Sequence, residues 1–180
     1  RFDHPRLYHG QELLTGRGTV EFVNNVVYNW GMKAIYGGEE GWFNVVENWF
    51  RPGPATRHLD GEWLDISTSS TTSMIPGSFY ISDNEYDVSA VRKGGLDYRK
   101  MEEWEDRYED ASVVTPFAVK VDLAVQDAED AYKDVLRHAG ASKKRDAVDR
   151  RIIREVRKGK AFNTGSVTGL PGIIDSENDV

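Results

Sequence analysis

The 180-residue chain contains no cysteine, which excludes disulfides and thiolate metal sites. It has no apolar run approaching the ~18 residues of a transmembrane helix, so no membrane span is expected. It also lacks an excess of positive charge. Lys and Arg number 23 against 30 Asp and Glu, giving a formal net charge of -7. That balance argues against nucleic acid as the main partner, because neutralising phosphates needs a cationic surface. An acidic substrate would likewise need a local basic patch, since bulk attraction is absent. What remains is an ordinary globular composition, 39% hydrophobic and 29% charged, sufficient for one domain with a sizeable core. The first residue is Arg1 rather than Met, and no leader pattern is present. We read the chain as a piece of a longer protein, so the missing leader says nothing about compartment.

Two stretches carry the fold. "NNVVYNW" occupies 24–30 and "FNVVENW" occupies 43–49. Five of seven positions are identical: Asn25/Asn44, Val26/Val45, Val27/Val46, Asn29/Asn48 and Trp30/Trp49. "TVEFVNNVVYNW" is β-branched and aromatic between Gly18 and Gly31, so it predicts one or two short strands. "GMKAIYGGEEG" reads as a turn segment, and "WFNVVENWF" as the next strand, stopped by "RPGP". "SFYISDNEYDV" is a third strand candidate, in which Asn84 could match Asn48. A period near 20 with short strands suggests stacked coils, each unable to bury its apolar face alone. Stacking would pair strands in parallel and bury a continuous interior. Asparagines in register would then form a ladder, each amide donating to one neighbour and accepting from the other. The expected ladder residues are Asn25 with Asn44 and Asn29 with Asn48. The competing interpretation is two edge strands of a sandwich with chance similarity.

The expected fold is all-β, a right-handed parallel β-helix with a C-terminal α-helical extension. Residues 1–116 would form its coils, with a polar loop inserted near 55–77 that includes "STSSTTS" at 67–73. Residues 99–110 are acidic and read as an exposed turn or short helix. Residues 117–180 would form a helical tail packed on the coils. From Val121 to His138, apolar residues at Val121, Val125, Ala128, Tyr132 and Val135 recur at three and four, and Gly140 follows as a stop. Asp146 can cap a second helix with Asp149 three residues on. Val148, Ile152 and Val156 would form its buried face, and Gly159 would end it.

These segments also resemble a known family. "RFDHPRLYHG", "EFVNNVVYNWG", "YGGEEGWFNVVENWFRPGPAT" and the tail "LRHAGASKKRDAVDRRIIREVRKGKA" with "GIIDSENDV" are similar to the C-terminal half of pectate-lyase-like proteins of polysaccharide lyase family 1. The resemblance covers most of 1–57 and 117–180 and is weaker between them. It implies a right-handed parallel β-helix, in agreement with the repeat. It also implies β-elimination of polygalacturonate or a related acidic polysaccharide: a base removes the C5 proton of a uronic acid while Ca2+ neutralises its carboxylate. In the family that base is an arginine, a role that requires surroundings able to oppose its normal protonation. A secreted, periplasmic or cell-surface monomer is implied, with no nucleic-acid partner.

The resemblance places the calcium carboxylates upstream of Arg1, so no metal ligand is expected within the chain. The catalytic arginine is expected three positions before Arg1, in an Arg-Asn-Pro-Arg-like element of which Arg1 would be the last residue. Alternatively Arg1 begins that element, although Pro5 then falls too late. Arg1 and Arg6 are therefore substrate-side candidates, Arg6 the weaker, and the fragment alone should be inactive. Asp3 and His4 look like a hydrolase dyad but fit an Asx turn better. His9 and His58 lack metal-ligand spacing, and His138 suits a helix C-terminus. Glu39 and Glu40 could bind calcium, although a solvated turn is the commoner use. Trp30, Trp42, Trp49 and Trp63 could stack on sugar rings, with Trp30 and Trp49 better explained as structural. Ten of the 23 basic residues lie between Arg137 and Lys160, mostly on the solvent face of the last helix, with a polyuronate patch as the second reading. Two rival functions stay open. One is a pectin hydrolase on a similar scaffold, which would need paired carboxylates. The other is a non-catalytic carbohydrate-binding β-helix.

Overall fold

The computed structural model describes residues 18–59, 62–66, 77–87, 89, 112–119 and 122–179. The core of the described chain is built from eight short strands: β1 (Thr19–Val23), β2 (Val26–Tyr28), β3 (Lys33–Gly37), β4 (Trp42–Val46), β5 (Trp49–Arg51), β6 (Glu62–Ile66), β7 (Ser78–Ser82) and β8 (Glu85–Tyr86). All pairing between them is parallel. The first sheet is β1-β4-β7, the second β2-β5-β8 and the third β3-β6. Parallel partners cannot be joined by a hairpin, so the chain visits the other sheets before returning to pair with itself.

Each of the three strand segments read from the sequence is two strands, and the break has a backbone cause. Asn24, Glu47 and Asp83 have φ of 55°, 52° and 55°. This left-handed conformation ends one strand and redirects the next. The segment "GMKAIYGGEEG", expected to be a turn, contains strand β3. The supposed loop near 55–77 begins with a short helix, α1 (Pro54–Leu59), and continues into β6. Pro54 suits α1 because its missing N–H is not needed at a helix start. β6 was missed because "EWLDI" is too short and too polar for its pattern to stand out.

Register is the main correction. Thr19 pairs with Trp42, and Val26 with Trp49, an offset of 23 residues. The 19-residue doublet is therefore not the spatial repeat: Asn44 faces Glu21 and Val45 faces Phe22. The members of the doublet are alike in sequence but do not stack.

Inside the sheets lie Trp30, Phe43, Val45, Phe50, Leu64 and Phe79, all buried, with Ile35, Ile81 and Tyr86 packed around them. Phe43 and Phe79 stack at 4.6 Å, Phe50 and Tyr86 at 5.5 Å, and Trp30 meets Phe50 edge-on at 6.4 Å. Phe50 and Phe79 are almost fully enclosed; each contributes about 2–3 kcal/mol through burial alone. Successive segments approach closely at Gly77, where a Cβ would overlap the Gly38 carbonyl oxygen.

The chain then turns back. Ser112 bridges to Phe79 at the outer edge of β7. An extended strap follows and leads into α2 (Ala128–His138) and α3 (Ala147–Lys158). The helix expected from Val121 begins only at Ala128, capped by the Asp127 carboxylate, and Val125 is half exposed. Residues 122–127 form no helix, and the Gln126 backbone is instead held by the Asn24 side chain. Asp146 caps α3 by accepting from the Asp149 N–H, and Gly159 ends it at φ 59°. Among the described residues no helix is long and apolar enough to cross a membrane.

Candidate functional site

The outer surfaces of the three sheets differ in what covers them. Over the first sheet runs the strap. Asn44 donates to the Phe117 carbonyl and accepts from the Phe117 N–H, both at 2.9 Å. Trp42 stacks on Phe117 at 5.5 Å with the rings nearly parallel. Asn24 makes the same two-way contact with the Gln126 backbone, at 2.7 and 2.8 Å. Glu47 then accepts from the Ala128 N–H at 2.7 Å, satisfying an otherwise unpaired donor at the start of α2.

The second sheet is covered by α2. Tyr132 stacks on Trp49 at 4.7 Å, and Arg51 reaches both the Tyr132 hydroxyl at 3.4 Å and the Asp87 carboxylate at 3.1 Å. The last segment is tied to the same side. Tyr28 donates to the Lys160 carbonyl at 2.9 Å. Asn29 donates to the Pro171 carbonyl at 2.9 Å while accepting from the Ala55 N–H at 2.7 Å. The terminal turn holds itself through two carboxylates. Asp175 accepts from the N–H groups of Val167 and Thr168 and from the Thr168 hydroxyl. Asp179 accepts from the N–H groups of Ser166, Asp175 and Ser176. The Thr168 hydroxyl, with these N–H groups, lowers the Asp175 pKa to about 2.

On the third sheet, among the described residues, the outer face is left open. Ile35 and Leu64 are register partners and pack inward. The alternate residue Tyr36 points outward and is 67% exposed, and Met32 just before β3 is 68% exposed. The turn after β3 carries Glu39 and Glu40, with Glu40 at φ 56°. This face is the described surface with an exposed aromatic ring on a rigid strand, the kind of platform on which a sugar ring can stack.

Between the sheets stands a column of amides. Asn25 donates to the Asn48 Oδ1 at 3.0 Å through its side chain and at 2.9 Å through its N–H. Asn48 repeats both contacts to Asn84 at 2.9 Å. Asn48 also donates to the Phe22 carbonyl at 2.7 Å and is fully buried. The column is thus Asn25–Asn48–Asn84. Asn44 and Asn29, expected as ladder members, are the residues that fasten strap and tail. A sequence signal for the column existed. Asn24-Asn25, Glu47-Asn48 and Asp83-Asn84 are each a polar left-handed residue followed by the stacking asparagine.

The remaining candidates separate as follows. Arg1, Arg6, Asp3, His4 and His9 lie outside the described residues. His58 falls in α1 and Trp63 in β6. Trp30 is buried, and Trp42 and Trp49 already carry protein rings. Among the described residues no group of three or more His, Asp or Glu side chains could hold a metal ion. Sequence reasoning missed Tyr36, Asn24, Glu47 and Phe117, because their roles depend on segments up to 102 residues away.

No family model matches the chain. Curated relatives do. A protein named probable pectate lyase C from Aspergillus flavus is 33% identical over 150 residues, 78% of this chain. The protein of that name from Aspergillus oryzae is 32% identical over 158 residues, again 78% of the chain. The one from Neosartorya fischeri is 29% identical over 172 residues, 88% of the chain. The matched regions cover 32%, 32% and 37% of those proteins, so the chain spans about a third of the length of the relatives it matches. By sequence, the chain is pectate-lyase-like over most of its length.

Proposed function

We propose that this chain is part of a polysaccharide lyase that cleaves pectate by β-elimination. The similarity to probable pectate lyases across 78–88% of the chain carries this reading. Three parallel sheets linked by an amide column support a right-handed parallel β-helix as the scaffold, with residues 1–116 as coils and 117–180 as a helical extension wrapped on them. The polysaccharide would lie along the open face of the β3-β6 sheet. Arg1 and Arg6 remain our candidates for contacts with uronate carboxylates, a role suited to the guanidinium fork.

Elimination at C5 requires a neutralised carboxylate and a base. The described residues supply neither a metal cluster nor a placed catalytic arginine, so we derive no step through calcium. What they supply is rigidity: stacked strands, a satisfied amide column and a latched strap fix the surface along which a polymer would be aligned. An extracellular location, secreted or at the cell surface, follows from a polymeric substrate that cannot enter a cell.

The test is incubation of the full-length natural protein with polygalacturonate, with calcium and then with a chelator. Chelator-sensitive ultraviolet absorbance from an unsaturated product is expected. New reducing ends without that absorbance would mean a hydrolase. Binding with neither signal would mean a non-catalytic carbohydrate surface.

A further inference from the structure

The two long helices present different surfaces. On α2 the exposed cations are matched within the helix. Lys133 pairs with Glu129 at 3.1 Å and Asp130 at 3.0 Å, and Arg137 faces Asp134 at 3.7 Å. This mixed-sign pattern is what a solvated helix face normally shows. On α3, Arg150, Arg154, Arg157 and Lys158 are all exposed. They occupy positions i, i+4, i+7 and i+8, which share one stripe at 3.6 residues per turn. That stripe contains no carboxylate. Arg150 donates to the Arg145 carbonyl. Arg154 lies over the Phe162 ring at 4.2 Å. Neither Arg157 nor Lys158 has an ion-pair partner among the described residues. The exposed Lys143 and Lys144 of the preceding turn add to the same sign.

The helix bears this charge inside an acidic chain. Residues 137–160 hold ten of the 23 basic residues and only three of the 30 acidic ones. The one acid in the last two turns, Glu155, points inward, where it is buried and accepts from the Phe162 N–H at 2.6 Å. Burial raises its pKa. The acid is thus withdrawn from the surface while every cation of the stripe stays outside. A row of same-sign charges at helical spacing raises the local concentration of a polymer with regularly repeated anions. Three of the four residues are arginines, whose planar forks match carboxylates better than lysine does.

We propose that the solvent face of α3 is a binding stripe for acidic polysaccharide, a polyuronate chain whose carboxylates succeed one another along the helix. The proposal rests on the pectate reading above. Its occupant follows from charge complementarity and from the acidic remainder of the chain, which disfavours the broad contact that nucleic acid would make.

The experiment uses the full-length natural protein and a variant carrying R150Q, R154Q, R157Q and K158Q. Affinity electrophoresis in gels containing polygalacturonate, at rising salt, gives binding. Initial rates on polygalacturonate and on a short oligogalacturonate give function. Polymer affinity is expected to fall about tenfold and to lose much of its salt dependence, with KM rising on polymer and unchanged on the oligomer. The pair R157Q/K158Q, which removes no hydrogen bond or ion pair to a described side chain, should show a smaller loss in the same direction if the fourfold variant folds poorly. Polymer affinity unchanged in the variants, with a wild type that does cleave pectate, would overturn the stripe and leave the lyase reading standing. No binding or cleavage of pectate by wild type would overturn both. Stripe-dependent binding of single-stranded nucleic acid in preference to polygalacturonate would overturn the choice of occupant.

Discussion

The strand stack and the chain that wraps it are held by different means. In the stack, one solution is repeated. Parallel backbone pairing, a left-handed residue and a stacking asparagine recur at 24–25, 47–48 and 83–84. In the wrap, the contacts vary from one position to the next. Asn44 holds Phe117, Asn24 holds Gln126, Asn29 holds Pro171, and Glu47 caps α2. Asparagine serves both regions because its amide both donates and accepts, so it can complete a neighbouring amide or mimic a strand partner for a passing backbone. The difference teaches that one residue type in one sheet neighbourhood can be a repeat element or a fastener, according to the direction in which its amide points.

Breaking the stack should cost most. Asn48→Ala leaves the Asn25 N–H and the Phe22 carbonyl without their buried partner, so a loss of about 3 kcal/mol or more is expected. Chemical denaturation should show it as a lower midpoint of the whole transition. A loss under about 1 kcal/mol would mean that water replaces the amide and the column is not cooperative.

The wrap should respond locally. Tyr132→Ala removes the ring on Trp49 and the Arg51 contact, and should cost about 2–3 kcal/mol. Hydrogen exchange should rise in α2 while β4 and β5 stay protected. Equal loss in both regions would show that stack and wrap form a single cooperative unit. Asn44→Ala, at about 1–2 kcal/mol, should free residues 112–119 first. Asn44→Asp keeps the acceptor for the Phe117 N–H but sets a carboxylate oxygen against the Phe117 carbonyl and the Glu21 carboxylate, both of which accept from the Asn44 amide, and should cost more than Ala.

The smallest effect is expected from acid. Asp175 has a folded pKa of about 2, below its ordinary 3.8. Such a carboxylate contributes stability above its unfolded pKa and loses it as pH falls through the folded value. Exchange in 163–179 should therefore accelerate between pH 4 and 2, before the strands respond. Asp175→Asn should remove that pH step. A variant that keeps the step would assign it to another carboxylate.

Much of the stack was legible in the sequence. Alternating β-branched and aromatic residues between glycines marked the strands, and the recurring Asn pointed to stacking. The 36-residue match of Asn48 with Asn84 was visible, as were the cap at Asp146 and the stop at Gly159. The register was not legible. The eye is drawn to identical residues at 19, whereas stacking is set by the positions of the left-handed residues, and these tolerate Asn, Glu or Asp alike. The strap could not be read either. Periodicity extended α2 back to Val121, but the Asn24 amide takes both backbone groups of Gln126, just before the helix begins at Ala128.

By itself the sequence determined that this chain forms short strands, closes with a capped basic helix and resembles pectate lyases. Those properties arise from local propensity and residue chemistry, which act within a few positions. Only the tertiary structure decided which asparagines stack and which fasten, and which sheet has an open outer face among the described residues. These outcomes depend on the return path of the chain. The strap settles two of its peptide groups on the side chains of Asn44 and Asn24, and these partners lie 73 and 102 residues away in the chain.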